Sequence, residues 1–210
     1  MSASLSPSEG WVAGLRRFAR GTPPVSHCEL CSATIFPDHQ HVIEVSNRKL
    51  LCCCQACALL FGNHDDGKYR AVPRSSQHLS DFRISDAQWD ALLIPIGIAF
   101  FFKSTPESRV IALYPSPAGA TESLLDLAAW EELAADNPVL AQLQPDVEAL
   151  LVNRVDSARD YYRVPLDQCY ALVGLIRGRW HGLSGGADVW NAIHEFFTGL
   201  DTGANVQGMH

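Results

Sequence analysis

Cys28-Glu29-Leu30-Cys31, followed after residues 32–53 by Cys54-Gln55-Ala56-Cys57, places two Cys-x-x-Cys pairs in one short segment. Each pair turns two sulfurs toward one point. A chain that folds back between the pairs brings four thiolates together, which is the donor set of a tetrahedral zinc ion. The intervening residues have the pattern such a fold-back needs. His41-Val42-Ile43-Glu44-Val45 and Lys49-Leu50-Leu51-Cys52-Cys53 read as two short strands, with turn chemistry in Ser46-Asn47-Arg48 between them. Beyond the second pair, Ala58-Leu59-Leu60-Phe61 runs to Gly62 and Asn63 as a short helix opened by Cys54 and Cys57.

A knuckle, a hairpin and a helix carrying the second pair describe a treble-clef zinc finger. A zinc ribbon is the near alternative. A rubredoxin-type iron site is a third option, because iron also accepts four thiolates in two such pairs. Against iron, Ser32 and Ala58 stand where glycine would let backbone N–H groups approach the sulfurs. The expected metal ligands are therefore Cys28, Cys31, Cys54 and Cys57, with Cys52 as a substitute for Cys54 because the two share a face. Otherwise Cys52 and Cys53 read as packing residues on opposite faces of their strand. Cys169 lies in a helical pattern far away and reads as a buried core thiol.

Hydrophobic residues make up 47% of the 210, and charged residues 19%, a balance that supports a globular core of one or two domains. No run of about 18 apolar residues exists, so no membrane span is expected. Met1-Ser2-Ala3-Ser4-Leu5-Ser6 lacks a basic region followed by an apolar one, which speaks against a secretory signal. Seven cysteines, an odd number, four of them at metal-ligand spacing, fit a reducing cytoplasm better than a disulfide scaffold. The net charge of −7 disfavours broad binding to nucleic-acid phosphates.

The expected class is α+β. A helix bearing Trp11, Leu15 and Phe18 and its linker take residues 1–24, the finger 25–64, a turn-rich linker 65–82, an α+β domain 83–201 and a tail 202–210. Within that domain, Ser85-Asp86-Ala87-Gln88 has the form of a capping box opening a short helix. Ile96–Phe102 and Arg109–Tyr114 form an antiparallel pair, and Pro115-Ser116-Pro117-Ala118-Gly119 breaks the second strand. One ring of Phe100-Phe101-Phe102 should face outward. Leu124–Ala135 is helical up to Asn137-Pro138, Val147–Val155 is a third strand, and Leu166–Trp180 and Ala187–Leu200 are closing helices.

Other motifs carry less. His39 and His41 in Pro37-Asp38-His39-Gln40-His41 bear a partial likeness to His-Asn-His nucleases, in which a histidine activates water beside a metal. Ala58-Leu59-Leu60 follows the second knuckle where those enzymes place His or Asn, so solvated or hairpin-packing histidines are the plainer expectation. Gly185-Gly186 reads as an interhelical turn, and Arg177, Arg179, Trp180 and His181 as a favourable helix end. Ser116 lacks the glycine-flanked elbow of a serine nucleophile. No catalytic residue is assigned.

Cys28-Glu29-Leu30-Cys31, Leu51–Phe61, Tyr114–Ser123, Asp146–Leu151 and Cys169–Gly174 together resemble an uncharacterised bacterial family encoded beside nickel-iron uptake hydrogenases. The resemblance spans nearly the whole chain. It implies an accessory role in hydrogenase assembly, maturation or electron delivery, with hydrogenase subunits or maturation factors as partners. The family's second segment shows Cys-x-Cys-x-x-Cys, matched here by Cys52, Cys54 and Cys57, which leaves both Cys52 and Cys54 open as ligand.

Overall fold

The computed structural model describes residues 26–64, 67–182 and 185–201. The helix expected around Trp11 and the tail from residue 202 lie outside these residues. Two short strands, β1 (Ser26–His27) and β2 (Thr34–Ile35), pair around the first Cys-x-x-Cys. Next come the hairpin strands β3 (Gln40–Glu44) and β4 (Lys49–Cys53), then helix α1 (Gln55–Phe61). The arrangement is knuckle, hairpin and helix, as a treble clef requires.

Residues expected as linker contain two more strands. β5 (Tyr69–Ala71) pairs with β3, giving a three-stranded sheet in the order β4-β3-β5. β6 (Gln77–His78) crosses to the second sheet. The polar composition of this stretch conceals both strands because each is short and at a sheet edge, where few side chains are buried.

The second sheet has six strands in the order β6-β11-β10-β7-β8-β9, all antiparallel. Its members beyond β6 are β7 (Ile98–Ser104), β8 (Arg109–Ser116), β9 (Gly119–Glu122), β10 (Glu148–Asn153) and β11 (Asp160–Pro165). One face is covered by α4 (Leu166–Arg179) and α5 (Ala187–Asp201), which meet Phe100, Phe102, Ile111, Leu151 and Val164. The other face meets α2 (Asp86–Ala91), α3 (Leu127–Asp136) and a 3-10 turn, which cover Ala99, Phe101, Ala112, Leu150 and Val152. Because both faces are covered, β7 and β10 are apolar along nearly their whole length. All three rings of Phe100-Phe101-Phe102 are buried, so the expectation of one outward ring fails. Phe101 instead stacks on Trp130 with centroids 5.2 Å apart.

Pro115 does not end its strand. Pairing of β8 with β7 stops at Leu113, so the missing N–H of Pro115 interrupts no bond across that seam. Gly119, with φ 122, then turns the chain into β9.

The finger's three-stranded sheet leans on this domain. Ile43 and Val72 sit in the same buried cluster as Phe100, Tyr162 and Phe197, and Leu50 packs against it. Among the described residues no helix is long and apolar enough to cross a membrane.

Candidate metal centre

The first knuckle closes through Cys28 N–H to the Ala33 carbonyl and Ser32 N–H to the Cys28 carbonyl, both at 2.8 Å. Ser32 takes φ 62, the left-handed conformation glycine would adopt, so the turn forms with serine in that place. The knuckle is tied to β4 from both sides. Glu29 N–H donates to the Cys52 carbonyl at 2.9 Å, and Cys52 N–H donates to Glu29 Oε2 at 2.7 Å.

The second pair is set by α1. Cys54 is its N-cap, and the Cys54 sulfur accepts from Cys57 N–H at 3.4 Å, much as a serine or aspartate oxygen would. Cys57 therefore faces back toward the knuckle from the first turn, while Val42, Leu51, Cys53 and Ala58 form a small core beneath.

These elements bring the sulfurs of Cys28, Cys31, Cys54 and Cys57 within 4.8 Å of one another. Cys31 Sγ and Cys54 Sγ are 3.7 Å apart. Two thiolates on a tetrahedral zinc at about 2.3 Å each would be about 3.8 Å apart, so the spacing suits one ion. Cys28 and Cys57 are buried, Cys54 is partly buried and Cys31 is exposed.

The electrostatics point the same way. Burial pushes the Cys28 thiol up, but backbone hydrogen bonds from Cys54, Leu30 and Cys31 outweigh it and bring its pKa from 9.0 down to about 6. Cys57 is pushed up by burial and by contact with the other three sulfurs. One thiolate among close neighbours disfavours a second, and a divalent cation reverses that balance. The donor set could hold a metal ion, and the four cysteines expected as its ligands are brought together.

The remaining thiols are elsewhere. Cys53 is buried in the finger core, where burial raises its pKa to about 12. Cys169, in α4, is fully buried in the main core and its pKa is raised by desolvation. Cys52, the substitute ligand, is not in the four-sulfur group; it lies beside His39 and His41. The two histidines are not simply solvated. His41 Nδ1 pairs with Asp167 Oδ2 at 2.9 Å, and His39 Nδ1 donates to the Phe36 carbonyl at 2.8 Å. Asp167, in the first turn of α4, had no sequence signal, since it reaches His41 across 126 residues.

Ser116 Oγ donates to the Gly119 carbonyl and meets Thr121 Oγ1, each at 3.0 Å, which is turn chemistry. Gly185 and Gly186 both have positive φ and turn the chain into α5.

Residues 27–204 match the model of a family described as a family of unknown function (DUF5947). No curated protein matches the chain, and no solved structure does.

Proposed function

We propose, for a chain that belongs to this family of unknown function, a zinc-dependent accessory role carried out through protein contacts. The observation that carries it is the convergence of four cysteine sulfurs within 4.8 Å. Cys28, Cys31, Cys54 and Cys57 would hold one zinc ion in a closed site, and bound zinc contributes folding free energy and no redox step. The unlike settings of the two pairs, one in a turn and one opening a helix, favour zinc over a rubredoxin-type iron site. Phe36, Leu59, Leu60 and Phe61 are 80, 61, 65 and 45% exposed on this small module, an apolar surface suited to a partner protein. The choice of hydrogenase subunits or maturation factors as partners rests on the family resemblance alone. Thiolate ligands require a reducing compartment, and the cytoplasm fits that need.

Two measurements test this reading. Protein purified without air should be colourless and keep one zinc through a chelator wash; a red protein retaining iron overturns the metal assignment. Tagged chain from hydrogenase-producing cells should co-purify with a hydrogenase subunit or maturation factor, and Cys31→Ser should abolish the association. Absence of those named proteins from the parent preparation removes the partner assignment and leaves the zinc reading standing.

A further inference from the structure

We infer that His39, His41 and Cys52 form a second metal site, separate from the four-cysteine centre, which takes a borderline divalent transition ion such as zinc and leaves a coordination position open. The hairpin places these side chains together. His41 and Cys52 are direct cross-strand partners in the register of β3 and β4. Cross-strand partners project from the same face, and His39, two residues before His41, shares that face by the period-two rule. One ring nitrogen of each histidine and the Cys52 sulfur accordingly lie within 4.8 Å of one another.

Hydrogen bonding prepares both rings as ligands. The partner of His39 Nδ1 is a carbonyl oxygen, which only accepts, so Nδ1 carries the proton. His41 Nδ1 donates likewise to the Asp167 carboxylate. In each neutral ring the lone pair is then on Nε2. A carboxylate behind a histidine is the usual support for a metal-bound imidazole, since it fixes the tautomer and orientation.

A purely packing role accounts less well for His39. The rings of His39 and His41 do meet edge to face at 4.8 Å. Yet His39 Nε2 is buried with no hydrogen-bond partner, a costly state for an acceptor that a metal ion would relieve. Two imidazoles and one thiolate select zinc and its transition-metal neighbours over magnesium or calcium. Three protein ligands leave the fourth position to water or an exchangeable ligand. All three residues are partly exposed, whereas Cys28 and Cys57 of the four-cysteine cluster are buried.

The test uses the full chain, purified without air, dialysed against zinc chloride and analysed for metal before and after a brief chelator wash. The parent should hold two zinc ions per chain before the wash and one after it. His39→Ala and Cys52→Ser should each hold one throughout, with circular dichroism unchanged. A parent that saturates at one ion overturns the inference, as do variants that still hold two. A folded Cys52→Ser that loses every ion also overturns it, because Cys52 would then serve the four-cysteine centre. Cobalt titration of the parent gives an answer without a variant. Two steps are expected, the first with strong thiolate charge transfer and the second much weaker; one step rules the site out. Loss of both ions in the wash would count against the closed four-cysteine site and leave the second site to the cobalt steps.

Discussion

Burial sorts the seven thiols into different chemistries. With its pKa raised to about 12, Cys53 stays a thiol through neutral and mildly basic pH, and desolvation raises the pKa of Cys169 as well. At pH 8 only roughly one Cys53 side chain in ten thousand would be thiolate, the form that reacts. Iodoacetamide at that pH should therefore leave Cys53 and Cys169 unmodified in the folded protein, and should label Cys31 and Cys54 only once a chelator is present. Peptide mass mapping reads the pattern; labelling of Cys53 without unfolding would contradict its placement. The four-cysteine cluster was legible because two Cys-x-x-Cys pairs write a shared donor set into local spacing. Asp167 was not, because its link to His41 exists only after the sheet and α4 have packed. His39, His41 and Cys52 lie between these cases: their alternation could be read, but their convergence depends on the register of β3 with β4.

At the scale of the element, α1 shows how tightly the second cysteine pair is held. Gly62 ends this helix, its N–H donating to the Ala58 carbonyl and its own carbonyl accepting from Ala71 of β5, both at 2.9 Å. A methyl group there would meet the Ala58 oxygen and the Ala71 Cβ at 2.6 Å. Since neither is a flexible side-chain end, Gly62→Ala should push β5 from α1 and cost about 1–3 kcal/mol by overpacking, measurable by urea unfolding. A far site gives a cleaner control. Ser85 accepts from Gln88 N–H at 3.1 Å and donates its own N–H to Gln88 Oε1 at 3.0 Å, the capping box expected at the start of α2. Ser85→Ala should cost about 1 kcal/mol and leave zinc content unchanged. Capping, helix periodicity and the apolar runs of β7 and β10 are local signals, which is why those elements were legible. β5, β6, β9 and β11 were not: the first three are short edge strands, and β11 sets Tyr161, Tyr162 and Val164 among aspartate, arginine and proline without the period-two alternation that marks a strand.

At the scale of the whole molecule, the finger and the larger domain share one interior. Ile43 and Val72 belong to the cluster that also holds Phe100, Leu151 and Phe197. Arg70 Nη1 meets Asp146 Oδ2 and the Pro145 carbonyl, each at 3.1 Å, and His41 meets Asp167. Asp146 is buried at a φ of 66 and also accepts from Thr105 N–H and Oγ1, so this loop is built around the ion pair. An ion that holds the knuckle and α1 together therefore also holds β3 in the register that presents Ile43 to the main core. Zinc held at about a thousandfold above its dissociation constant adds about 4 kcal/mol to the folded state. Spread over a cooperative unit of this size, its removal should lower Tm by roughly 8–16 °C. Scanning calorimetry with and without chelator should then show a single transition that moves as a whole. The alternative, a finger that melts alone, predicts a separate low transition while the main one stays in place. That outcome would mean the larger domain keeps its stability when Ile43 leaves its interior with the finger, and that the shared core does not couple the two parts.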